Sequence, residues 1–216
     1  MTGDYIKQLQ LKKQIEQKAK EAAKSREAAE KKLAQAEESL KLVKKMDAPS
    51  AEAEKFLTEA SSFFKEKDYR SSLGLSTKSM EASQKAQNDR VGSMLESADE
   101  LRSLVERSGA KAEDLAHMSQ EAKDSLAKGS LEDAFAKAKD LWDKVEKLVN
   151  RYMATAFGEA QTILILAEGL GVKVDTERQA LAEAREFLEK EQVPASMEKL
   201  ASCLELLNAA LTEKFS

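Results

Sequence analysis

The chain has 216 residues, of which 34% are charged and 5% aromatic, with eight Gly, two Pro and a net charge of −4. That is the composition of long helices and coiled coils, and few strands can be written with it. The negative balance argues against a general nucleic-acid binder, and a lone Cys203 excludes an internal disulfide.

The first segment, MTGDYIKQLQLKKQ, has no apolar h-region and does not read as a signal peptide. The longest apolar runs are too short to cross a bilayer. A soluble chain without membrane insertion is therefore expected, with a cytoplasmic location.

A long helix is predicted over about 4–46. Ile15, Ala19, Ala22, Arg26, Ala29, Leu33, Ala36, Leu40 and Val43 form a heptad seam of small apolar knobs with one Arg. The seam predicts a projecting arm that pairs with a copy of itself or with a partner helix. Residues 1–45 carry twelve Lys/Arg and seven Asp/Glu, a net of +5, which leaves −9 on the remainder. The asymmetry permits head-to-tail contact between molecules.

Pro49 is expected to break this helix, and a short return helix at about 51–66 follows. Asp68 is an N-cap candidate for a long helix over 69–108. Gly109 is a left-handed stop, and a second short helix spans about 113–128. Ser130 with Asp133 reads as a capping box at the head of a third long helix, 131–170.

That helix has a seam of Leu131, Phe135, Ala138, Trp142, Val145, Val149, Tyr152 and Ala156. After one phase slip it continues as Ala160, Ile163, Ala167 and Leu170. Gly171 stops it, and helices at about 175–190 and 193–214 complete the chain, with Pro194 in a first turn.

A shift of 62 residues overlays the chain on itself twice without a gap. Ala36 falls on Ala98 and Ala160, Leu42 on Leu104 and Leu166, and Ala60 on Ala122 and Ala184. Three modules follow, at 31–92, 93–154 and 155–216, behind a helical extension at 1–30. Each reads long helix, tight turn, short helix, tight turn, long helix, and short turns force antiparallel neighbours.

The fold class is therefore all-α: an elongated tandem array of three short three-helix bundles joined by continuous helices. At about 1.5 Å per residue the array should exceed about 100 Å. It resembles tandem spectrin-type repeats in architecture only, with a much shorter unit and no shared motif. The alternative is a curled α-solenoid of helical hairpins. Its turns Lys67-Asp68-Tyr69 and Gly129-Ser130-Leu131 resemble those of tetratricopeptide arrays, but the period does not fit.

Ser76, Ser83 and Gln87 stand where the next copy has Ala138, Val145 and Val149, so a looser first joint near 83–92 is expected.

No catalytic, cofactor or metal site is written in the sequence. His117 and Asp114 make one Asp-x-x-His, but the equivalent positions are Lys55 and Gln179, which do not build a metal site. Cys203 shares a column with Ser79 and Leu141 and reads as a small core residue. Glu59, Glu121 and Glu183 read as a solvated stripe.

The run Ile163 to Leu166 cannot point wholly inward, so Leu164 or Ile165 should reach the surface and form an apolar patch with Met153 and Phe157. The functional expectation is a non-enzymatic scaffold that spaces and binds proteins. The alternative is a regulatory module that captures a partner helix through Ile15, Ala19 and Ala22 or through the 153–166 patch.

Overall fold

A computed structural model describes residues 2–107 and 113–215. Every described element is helical: α1 (Thr2–Lys45), α2 (Ala51–Lys65), α3 (Tyr69–Arg107), α4 (Glu113–Ala127), α5 (Leu131–Gly169), α6 (Asp175–Glu189) and α7 (Val193–Phe215). The short helices begin at 51, 113 and 175 and the long ones at 69, 131 and 193, each at intervals of 62 residues. The expected stop at Gly109 lies outside the described residues.

The five described stops close in one way. A residue at positive φ ends the helix: Asp47 (52°), Lys67 (66°), Gly129 (74°), Gly171 (71°) and Glu191 (59°). The next N–H then donates back to a carbonyl of the last turn, as from Ala48 to Val43, Ser130 to Ser125 and Gln192 to Phe187, at 2.9–3.0 Å. This Schellman closure satisfies carbonyls that a helix end would otherwise orphan. Pro49 is therefore not the breaker of α1; left-handed Asp47 turns the chain, and Pro49 follows two residues later.

The helix starts differ more. Asp68 caps α3, with its Oδ1 accepting from the Ser71 N–H at 3.1 Å. The expected capping box at α5 does not form. The Ser130 side chain makes no cap bond, and Asp133 instead accepts from Ser125 Oγ at 2.6 Å and Lys137 Nζ at 2.8 Å. The Lys137 ammonium, with the Ser125 hydroxyl, holds the Asp133 carboxyl below the usual range. Phe64 and Tyr69 meet edge to face at 5.4 Å across the α2–α3 turn.

The chain forms two compact units, Met1–Gly92 and Ser93–Ser216, and the segments expected as 93–154 and 155–216 fall together in the second. In the first unit α1 lies against α2. Its core combines Ala29, Ala36, Leu40 and Val43 of α1, Ala53 and Ala60 of α2, and a stripe of α3. That stripe is Ser72, Ser76, Ser79, Ser83 and Gln87, all buried. Ser79 Oγ donates to the Ala53 carbonyl at 2.8 Å and Gln87 Nε2 to the Ser39 carbonyl at 3.2 Å. The hydroxyls of Ser72, Ser76 and Ser83 have no partner among the described residues.

In the second unit α5 contacts α4, α6 and α7, and α6 lies along α7. The buried stripe of α5 is Ala134, Ala138, Leu141, Val145, Val149, Met153, Ala156, Ala160, Leu164 and Ala167. This corrects the expected seam. Ala134, Val145, Ala156 and Ala167 recur every 11 residues, about 3.67 per turn, so the stripe follows the straight helix without a slip. Leu131, Phe135, Trp142, Tyr152 and Ile163 are half-buried on its flanks, and Leu170 is exposed. Alanines recur along the buried centre between Leu141, Met153 and Leu164, letting the helices approach closely, and the aromatic side chains Phe135, Trp142 and Tyr152 fill the diverging edges.

Candidate interaction surfaces

The arm comes first. Residues 11–28 of α1 are all exposed, whereas Ala29, Ala36, Leu40 and Val43 further along the same helix are buried. Ile15, Ala19 and Ala22 thus lie on an uncovered helix face, and Leu11 and Ile15 stand 58% and 60% exposed. Their four-residue spacing places them on one face.

The second expected surface is changed by the structure. Met153 (3% exposed) and Leu164 (8%) belong to the core of the second unit and are not presented outward. Phe157 is half-buried, with the Arg185 guanidinium 5.9 Å from its ring centre. Ile165 and Leu166 are both 59% exposed, and Leu170 is exposed beside them. Of the expected pair it is thus Ile165, not Leu164, that reaches the surface, with Leu166 and Leu170 beside it in place of Met153. The choice depends on which neighbour of an apolar pair meets α6 and α7, and single-helix periodicity does not contain that.

A cleft of ≈ 320 Å³ lies between the Ser93–Arg107 part of α3, the middle of α5 and the start of α7. Leu101, Trp142, Val149, Val193 and Pro194 give it apolar walls, and Glu100, Glu146 and Glu191 line it as well. Trp142, expected in the core, is thus an edge residue beside this cleft.

Polar chemistry is sparse. His117 is exposed and sits 3.6 Å from Glu121. No group of three or more metal-ligating side chains occurs among the described residues. Cys203 is buried, with Sγ 3.3 Å from the Glu177 carbonyl; burial, then the Glu177 carboxylate, pushes its thiol pKa up. A protonated buried thiol is a poor nucleophile.

Asp99 gathers Ser119 Oγ (3.0 Å), Lys123 Nζ (2.6 Å) and Arg102 Nε (3.5 Å). Burial opposes its ionisation, but Lys123 and Ser119 outweigh burial and hold the carboxyl low. This network ties α3 to α4 and has the form of a structural clamp. Of the acidic stripe, Glu183 pairs with Lys199 of the neighbouring helix at 2.6 Å and is thus engaged between helices; outside the stripe, Glu168 pairs with Arg178.

No described helix is long and apolar enough to cross a membrane. No family model, curated protein or solved structure matches the chain.

Proposed function

We propose that the chain is a non-enzymatic helical-repeat scaffold, an elongated spacer that offers surfaces to other proteins. It would be built from three-helix modules at 31–92, 93–154 and 155–216 behind the helical extension at 1–30. One observation carries the reading: helix starts recur every 62 residues, and buried columns recur with them. Ala36, Ala98 and Ala160 are fully buried, as are Ala60, Ala122 and Ala184. A tandem module repeats its packing in this way, because each copy must bury the same face.

Small-angle X-ray scattering tests the spacer. A compact 216-residue globule has a radius of gyration of about 17 Å. A helical rod longer than about 100 Å requires roughly 30 Å. A value near the first figure refutes the proposal.

A second reading is favoured by the uncovered arm: capture of a partner helix through Ile15, Ala19 and Ala22. A helix that buries nothing of its own along 11–28 is suited to helix-in-groove or coiled-coil pairing. Pull-down with and without residues 1–30 tests it, and equal recovery of bound protein by both forms counts against it.

A further inference from the structure

Leu104 of α3 is only 7% exposed, and it lines one cleft with Tyr152 of α5 and Met197, Ala201 and Leu204 of α7. Leu101 lies in the neighbouring cleft with Trp142, Val193 and Pro194. The start of α7 thus borders the flank that Leu101 and Leu104 present.

One 62-residue step later the same flank is Ile163 and Leu166 on α5, extended by Leu170. The positions of Trp142 and Val149 become Leu204 and Leu211 on α7. No helix stands there among the described residues, so Leu166 is exposed where Leu104 is buried. The missing occupant is defined by its equivalent: a helix that sets small and apolar side chains at spacings of three and four against this flank.

Residues 11–28 meet that description. Leu11, Ile15, Ala19 and Ala22 share one face, and nothing in the first unit covers them. Charge points the same way. Residues 11–28 hold six Lys/Arg and three Asp/Glu, a net of +3, and residues 155–216 hold six against eleven, a net of −5. Opposite net charges steer such surfaces together and penalise arm-to-arm pairing.

We propose that the N-terminal arm of one copy docks on the Ile163–Leu166–Leu170 flank of a second copy, giving head-to-tail assembly. The contact is heterologous, so each molecule keeps one free arm and one free flank, and growth is open unless a ring closes. The inference goes beyond the spacer reading, since a rod that stays monomeric would sink the assembly and leave the spacer standing.

The test is light scattering and sedimentation equilibrium of the full chain across micromolar concentrations at low and high ionic strength. The mass should rise above the 23.9 kDa of one chain with concentration and fall back with salt. Leu11→Glu/Ile15→Glu and Leu166→Glu/Leu170→Glu each alter exposed positions, and each should weaken self-association at least about tenfold. Mixed together, the two variants should form a dimer of twice the chain mass, because each retains the half that the other lacks.

Glu159→Lys, beside the flank, should weaken association too and guards against misfolding of the leucine variants. A wild-type chain that remains monomeric overturns the proposal. So does a flank variant that associates like wild type, which is the result of arm-to-arm pairing, or a mixture of well-folded variants that stays monomeric.

Discussion

The serine stripe of α3 gives the sharpest energetic prediction. Ser72, Ser76 and Ser83 are fully buried with hydroxyls that have no partner among the described residues. An unsatisfied buried hydroxyl costs about 1–3 kcal/mol in lost hydration. Replacement by Ala removes the hydroxyl with almost no change of volume and adds about 0.5 kcal/mol of helix propensity. Each of Ser72→Ala, Ser76→Ala and Ser83→Ala should therefore stabilise the first unit by roughly 1 kcal/mol. Ser72 and Ser76 lie one turn apart, so their gains should fall short of additive.

Ser79 is the internal control, since its Oγ donates to the Ala53 carbonyl at 2.8 Å. Ser79→Ala loses a net bond of about 1 kcal/mol and regains about half in propensity, so it should be mildly destabilising. Urea unfolding followed by circular dichroism reads both signs, and 1 kcal/mol moves the midpoint by about half a molar to one molar. Hydrogen exchange over 69–91 localises the effect. Midpoints that fall for Ser76→Ala and Ser83→Ala, or rise as much for Ser79→Ala, would refute the reasoning.

Other expectations follow from the same contacts. Asp47→Gly, Lys67→Gly and Glu191→Gly should each raise stability by about 1 kcal/mol, because glycine relieves a left-handed backbone; thermal melts check this. Gly129→Ala and Gly171→Ala should do the reverse even though an added Cβ meets open space at both. Asp99 has a depressed folded-state pKa, so its contribution is present above the ordinary aspartate value of about 3.9 and lost as pH falls through the folded value. Asp99→Asn should flatten that acid limb of the stability profile. Cys203 should react with iodoacetamide far more slowly in the native chain than in urea, and equal rates would contradict its burial.

Helix ends were legible to within about two residues wherever punctuation recurred. The stretches 51–66, 131–170 and 175–190 emerge as Ala51–Lys65, Leu131–Gly169 and Asp175–Glu189. Glycine marked Gly129 and Gly171, but nothing in Lys67 or Glu191 announces a left-handed residue; the 62-residue register placed those stops. Within α5 the choice between Leu141 and Trp142, or Met153 and Tyr152, was not legible. Adjacent apolar residues satisfy one helical period equally well, and the facing helices decide between them. The same ambiguity put Met153 and Leu164 in the expected patch, although both are buried. Ile15, Ala19 and Ala22 stood out because polar residues surround them and leave no second stripe to bury. The missing side-chain cap at Ser130 was hidden because Asp133 is claimed by Ser125 and Lys137, which a local motif does not show.

The fully buried alanines at 36, 60, 98, 122, 160 and 184 have a consequence for divergence. A methyl group lets two helix axes come to about 8 Å, yet it contributes little adhesion of its own. Leu141, Met197, Leu200 and Leu207 are the largest fully buried side chains, and each contributes more apolar burial than an alanine can. Gauge and glue are thus assigned to different residues, so the large side chains can change from copy to copy while the spacing stays fixed.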